Sequence, residues 1–82
     1  MKDSQYKNKK YFQTTSLALA GAINIYYPVV EVDKTNPKES VFIFPDSEEL
    51  QSIVKTFWDR TLSISPMEYF QSLKEVKTRL YS

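Results

Sequence analysis

The sequence predicts an α+β domain with the element order β-α-β-β-α-α, in which helices pack on one face of a small, three-stranded, mainly antiparallel sheet. Three observations lead to this prediction. A chain of 82 residues forms one domain. Two short apolar runs flank a polar, turn-rich connection, which is typical of a hairpin. Apolar residues in the second half of the chain recur at helical spacing.

The first strand is predicted over Tyr11 to Thr14, and a hydroxyl residue directly after it is expected to cap the next helix. Residues 17–23 favour that helix and are apolar nearly all round, which indicates a buried element. Gly21, the only glycine, is expected to mark close packing against the sheet or another helix. Residues 23–27, before Pro28, are compatible either with the end of this helix or with a strand.

The next two strands are predicted over Val29 to Asp33 and Ser40 to Phe44, as an antiparallel hairpin. A right-handed crossover from the first strand then places the return strand of the hairpin in the middle, with sheet order 1-3-2. The second helix is expected to start at the acidic segment 46–49 and to reach about Thr61. Its expected core-facing residues are Leu50, Ile53, Val54, Phe57 and Trp58.

The last helix is predicted over residues 65–81. Ser65 suits the cap, Pro66 the first helical position, and Glu68 the returning acceptor of a capping box. The core positions expected on this helix are Tyr69, Leu73, Val76 and Leu80.

A second set of residues on the last helix is the candidate partner-binding or anion-binding surface. The residues of this set are Phe70, Lys74, Lys77 and Tyr81. They are separated by four, three and four positions, so they lie on one stripe beside the apolar face of the helix. Two cations flanked by aromatic rings can neutralise charge and stack on a partner. The competing interpretation is that the lysine stems cover the margin of the core. Arg79 is expected on the opposite flank.

Residue types narrow the classes of function. The absence of His and Cys removes Ser-His pairs, thiol catalysis and the commonest zinc ligands. The carboxylates Asp46, Glu48 and Glu49 form the only acidic cluster, and helix capping explains them better than a magnesium site. We therefore expect a protein that is not an enzyme and has no catalytic residue, cofactor or metal site.

The charge is distributed unevenly along the chain. The formal net charge is +1, but residues 1–10 carry four lysines against one aspartate. This segment is expected to be a flexible basic arm ahead of a domain over residues 11–82, and phosphate binding is the minority interpretation. No apolar run approaches the roughly 20 residues of a membrane span, and a signal-peptide pattern is missing, so we expect no membrane contact and a cytoplasmic location.

Two functional hypotheses remain. In the first, the domain is an interaction module that engages a protein partner, or itself as a homodimer, through an apolar sheet face or the outer aromatic residues Phe12, Tyr26 and Tyr27. In the alternative, the last helix and the lysine-rich arm bind nucleic acid.

Three blocks of sequence carry a resemblance to a known family. They are YFQTTSLALA at 11–20, FIFPDSEEL at 42–50 and LKEVKTRLY at 73–81. In order and spacing they resemble an uncharacterised small-domain family, met in phages, mobile elements and bacteria with reduced genomes, that carries only a domain-of-unknown-function label. Pro45 stands where that family has an acidic residue. The resemblance implies an accessory protein of a mobile element, and it brings no activity, cofactor or catalytic residue.

Overall fold

A computed structural model describes residues 11–81 of the chain. The predicted element order is confirmed: β1 (Tyr11–Thr14), α1 (Leu17–Asn24), β2 (Glu31–Asp33), β3 (Val41–Pro45), α2 (Glu48–Trp58) and α3 (Pro66–Tyr81). The α+β class predicted from the sequence is therefore correct. The predicted basic arm, residues 1–10, lies outside the described residues.

The three strands form one antiparallel sheet in the order β1-β3-β2, as predicted. The central strand β3 is the most apolar of the three, and it pairs Phe44 with Phe12 and Phe42 with Val32. β2 is shorter than expected and begins at Glu31, although the N–H of Val30 already donates to the Ile43 carbonyl (2.7 Å). As the central strand, β3 has its backbone paired along both edges, and its residues 42–44 are all buried.

All three helices cover the same face of the sheet. The core on that face joins Phe42 and Phe44 of β3 to side chains of α1, α2 and α3, namely Leu19, Ala20, Ile23, Leu50 and Val76. On the opposite face Ile43 is also fully buried, but its two cross-strand neighbours, Gln13 and Glu31, are polar and exposed. The outer sheet face is therefore mixed in polarity and not a continuous apolar surface.

The helix α1 begins at a serine cap and ends in a tight turn. The Ser16 hydroxyl oxygen accepts the N–H of Leu19 (3.1 Å). At the other end, the N–H groups of Tyr26 and Tyr27 both donate to the carbonyl of Ile23 (2.9 and 2.8 Å). Because these bonds turn the chain, the strand alternative for residues 23–27 is wrong.

Gly21 lies in the contact between α1 and α3. A Cβ atom at this position would lie 2.6 Å from Leu73 Cδ2 and 3.1 Å from Leu73 Cγ, closer than carbon atoms normally pack. Glycine leaves that space to Leu73. The expected close packing at Gly21 is confirmed, and the neighbour is the helix α3.

The helix α2 starts where predicted and ends earlier. The Ser47 hydroxyl oxygen accepts the N–H of Leu50 (3.0 Å), with two glutamates in the first turn. At the C-terminus the N–H of Arg60 donates to Phe57 (3.1 Å) and that of Thr61 to Thr56 (2.9 Å), and Arg60 has φ of 64°. This is a Schellman motif, so the helix ends at Trp58 and not at Thr61.

The expectation that Trp58 packs in the core is wrong. Its side chain is 62% exposed, whereas Leu50 is fully buried and Phe57 is half-buried. Successive helical residues point about 100° apart, so a helix that buries one side turns only one of Phe57 and Trp58 inward. Trp58 instead meets the ring of Phe57 edge-on, with centroids 5.1 Å apart.

The helix α3 begins at Pro66, directly after Ser65, as predicted. Of the four expected core residues Val76 is fully buried, and the other three, Tyr69, Leu73 and Leu80, are half-buried. Ser72 is buried as well, which the apolar pattern did not predict. The inner face of α3 therefore includes a polar contact.

The steric role of Gly21 is open to a double-mutant test. Gly21→Ala should lower the free energy of unfolding by about 1 kcal/mol, since the overpacking cost exceeds the gain in helix propensity. In a Leu73→Ala background the clashing side chain is absent, and Gly21→Ala should raise the free energy of unfolding by about 0.5 to 1 kcal/mol. Urea unfolding of the four proteins measures both effects. The same sign in both backgrounds would contradict this account.

The orientation of α2, with Leu50 buried and Trp58 exposed, can be tested by comparing the stability of two alanine variants. Leu50→Ala should lower the free energy of unfolding by about 2 to 5 kcal/mol, because it leaves a cavity at a fully buried position. Trp58→Ala should cost about 1 kcal/mol or less, since it loses mainly the edge contact with Phe57. Thermal and urea unfolding of the two variants compare these costs. A larger loss from Trp58→Ala would mean that the helix is rotated relative to the structure described here.

Candidate functional site

The four residues predicted as a partner surface lie on the outward face of α3. Phe70 is 63% and Tyr81 is 81% exposed, and Lys74 and Lys77 between them are exposed too. The stripe was expected beside the apolar face. The helical spacing places it there, since Lys77 lies one turn from the half-buried Leu73 and Leu80. The competing interpretation, in which the lysine stems cover the core margin, stays a prediction.

Met67 extends the stripe by one position that the sequence analysis missed. It is 75% exposed and lies one helical step of three residues before Phe70. The complete surface, here called the α3 stripe, is Met67, Phe70, Lys74, Lys77 and Tyr81. Its steps of three, four, three and four are the spacing of a coiled-coil seam. Extending the alternating three- and four-residue spacing by one step towards the start of the helix would have found Met67.

The α3 stripe has a positive centre between apolar ends. Among the described residues neither Lys74 nor Lys77 takes part in a salt bridge. The neighbouring carboxylate of Glu75 points to another part of the molecule, where it accepts the side-chain N–H of Asn24 (3.0 Å). Two exposed ammonium groups flanked by large apolar side chains therefore face solvent together.

Hydrogen bonds from α1 hold α3 in one rotational setting. The Ser72 hydroxyl donates to the Gly21 carbonyl (2.6 Å) and accepts from the side-chain amide of Asn24 (3.0 Å). The Tyr69 hydroxyl donates to the carbonyl of Ala18 (2.9 Å), and partial burial raises the pKa of this tyrosine above its ordinary value. These bonds hold the inner face of α3 against α1, so the stripe residues point to solvent.

Arg79 was expected to be a surface residue on the opposite flank of α3. The structure places it on that flank, where it has a structural role. Its guanidinium donates to the carbonyls of Val29 (3.0 Å) and Val30 (3.3 Å), directly before β2. Arg79 therefore ties the end of α3 to the sheet.

The sheet-side alternative for the partner surface has less support. Of the three outer aromatic residues, only Tyr26 is largely exposed, at 48%. Phe12 and Tyr27 pack partly against the hydrophobic core. Because the outer sheet face is also polar around Ile43, these residues do not form one apolar surface.

The acidic segment at the start of α2 is accounted for by helix capping. Ser47 provides the cap, Glu48 and Glu49 occupy the first turn, and Asp46 accepts the side-chain amide of Gln51 (3.0 Å). Within residues 11–81 no group of three or more acidic, His or Cys side chains is arranged to hold a metal ion.

The fold and the α3 stripe define a small α+β domain with an exposed amphipathic helix face. A family model described as Domain of unknown function (DUF5659) matches residues 9–82, so the chain belongs to this family. Neither a curated protein nor a solved structure matches the chain. None of the helices in the described part of the chain has the length and apolar character needed to cross a bilayer.

The contrast between Arg79 and the α3 stripe is testable by stability alone. Arg79→Gln should lower the free energy of unfolding by about 1 kcal/mol, because two backbone carbonyls lose a charged donor. Phe70→Ser and Lys74→Gln should each stay within about 0.5 kcal/mol of the parent, since they alter exposed positions. Urea unfolding compares the three variants. A stripe variant that destabilises more than Arg79→Gln would show that the stripe is structural.

Proposed function

We propose that this domain is a non-enzymatic interaction module whose α3 stripe binds an acidic amphipathic helix of a different protein. One observation carries the proposal: large apolar side chains and two unpaired lysines are exposed together at heptad spacing on a helix whose inner face is already occupied. The sequence lacks His and Cys, which supports binding over catalysis.

The length of the stripe suits a helical partner. From Met67 to Tyr81 the helix rises about 21 Å, or four turns, which matches the i, i+3, i+4, i+7 anchors of helix-in-groove recognition. Phe70 and Tyr81 offer ring surface at low entropic cost. A partner helix with apolar residues opposite the ends of the stripe would cover the exposed rings.

The charges of the stripe argue against a second copy of this chain. In parallel or antiparallel pairing centred on the stripe, Lys74 lies opposite the same lysine of the other copy, and Lys77 is close by. Like charges in such contacts cost free energy. Carboxylates at the middle of the partner helix remove this cost, so the charge pattern favours a different, acidic protein over a homodimer.

The wider setting follows from the resemblance and the composition. We propose that the domain serves as an accessory protein of a phage or mobile element and works in the cytoplasm. Family membership supports a small domain without an assigned activity, and it leaves this setting as a prediction.

The proposed function is tested in two steps. A photo-crosslinking residue at position 70, in the native host, is expected to capture a protein whose crosslinked segment is an acidic amphipathic helix. A peptide of that segment should bind the parent domain in calorimetry, and Lys74→Gln with Lys77→Gln should weaken this binding about ten-fold without changing the melting temperature.

The control variant is Lys55→Gln, which removes an exposed lysine of α2, paired there with Asp59. It should leave the affinity for the peptide unchanged. Light scattering that shows a dimer through the stripe would overturn the proposal, as would a nucleic-acid complex whose affinity falls steeply with salt and depends on the two lysines. An unaltered affinity in the double variant would also refute it.

A further inference from the structure

The connection between α2 and α3 contains a backbone conformation that its residue type does not favour. Arg60 occupies the C′ position of the Schellman motif with φ of 64°, in the left-handed region. Glycine is the usual residue there because a Cβ atom crowds the following backbone. Such a conformation at a non-glycine residue is a reason to look for a role of the side chain.

Arg60 lies at a cavity of about 450 Å³ between the end of α2 and the start of α3. Besides Arg60, the walls are formed by Ala22 of α1 and by Phe57, Leu62, Ile64, Pro66 and Tyr69. A mostly apolar cavity of a few hundred Å³ with few polar groups is typical of small-molecule sites. It shares no residue with the α3 stripe.

Among residues 11–81, Arg60 is the only charged residue that lines this cavity. The preceding Asp59 does not neutralise it, because the Asp59 carboxylate accepts from Lys55 (2.7 Å). The Tyr69 hydroxyl is also engaged, since it donates to the Ala18 carbonyl. Within the described part of the chain, the exposed Arg60 side chain therefore borders the cavity and makes no hydrogen bond or ion pair.

We infer that this cavity binds a small apolar monocarboxylate, with the hydrocarbon against the walls and the carboxylate on the Arg60 guanidinium. The planar guanidinium matches a carboxylate with two parallel hydrogen bonds. An alkyl or aryl group suits these mainly apolar walls, where the Tyr69 hydroxyl is already bonded to the Ala18 carbonyl. A fatty acid and the C-terminal residue of a peptide share this chemistry.

Arg60→Gly separates binding from folding. Because glycine adopts the left-handed region without steric cost, the variant should melt a few degrees higher than the parent. It should also lose most of its affinity for octanoate, used below the concentration at which it forms micelles. Arg60→Lys should bind octanoate with intermediate affinity, since it keeps the charge and loses the second hydrogen bond.

Octanol and the α3 stripe supply the controls. The parent should bind octanoate about ten-fold more tightly than octanol, and Arg60→Gly should bind the two alike. Lys74→Gln, which lies outside the cavity, should bind octanoate like the parent. Binding is followed by chemical shifts of residues 57–69 and by the fluorescence of Trp58, the only tryptophan, next to Phe57.

Three outcomes would overturn the inference: no saturable octanoate binding by the parent, equal binding of octanoate and octanol, or unchanged binding by Arg60→Gly. A lower melting temperature for Arg60→Gly would also contradict it, because the guanidinium would then have a structural role. If octanoate binds as expected, a short peptide ending in leucine, compared with its C-terminal amide, distinguishes a peptide terminus from a fatty acid as the source of the carboxylate.

Discussion

The close approach of α1 and α3 at Gly21 is the constraint on which the rest of this domain depends. Leu73 occupies the space that a side chain at position 21 would need, and Ser72 donates to the Gly21 carbonyl. Together these contacts fix both the distance between the helices and the rotation of α3 about its axis. A buried hydroxyl is stable here because it both donates and accepts a hydrogen bond.

That rotation decides which residues of α3 remain available. With Val76, Ser72 and Leu73 inward, the flank beside Leu73 points to solvent, and this flank carries the α3 stripe. Arg79 holds the end of the helix to the sheet, so the outward face is presented by an anchored element. A rigid helix face loses little conformational entropy on binding, which favours recognition by shape and charge.

The sharp end of α2 creates the second feature of the domain. The left-handed Arg60 reverses the chain, and residues 61–65 then lead into α3 without regular structure. The reversal leaves space between the two helices, lined mainly by apolar side chains and by Arg60. The left-handed conformation of Arg60 lowers stability and fixes the position of its side chain at the border of the cavity. The stripe and the cavity thus arise from different constraints on the same helix pair.

The sequence by itself determined the fold class, the element order and the sheet order, because these follow from local patterns and from the handedness of the crossover. It also identified four of the five stripe positions. Only the tertiary structure decided that Trp58 faces solvent, that Ser72 is buried and that Arg79 binds the sheet. An apolar pattern covers a wider arc than one helix buries, and only packing against α1 and the sheet selects the inward side. The sequence also did not predict the conformation of Arg60, since no local residue pattern indicates a non-glycine residue in the left-handed region.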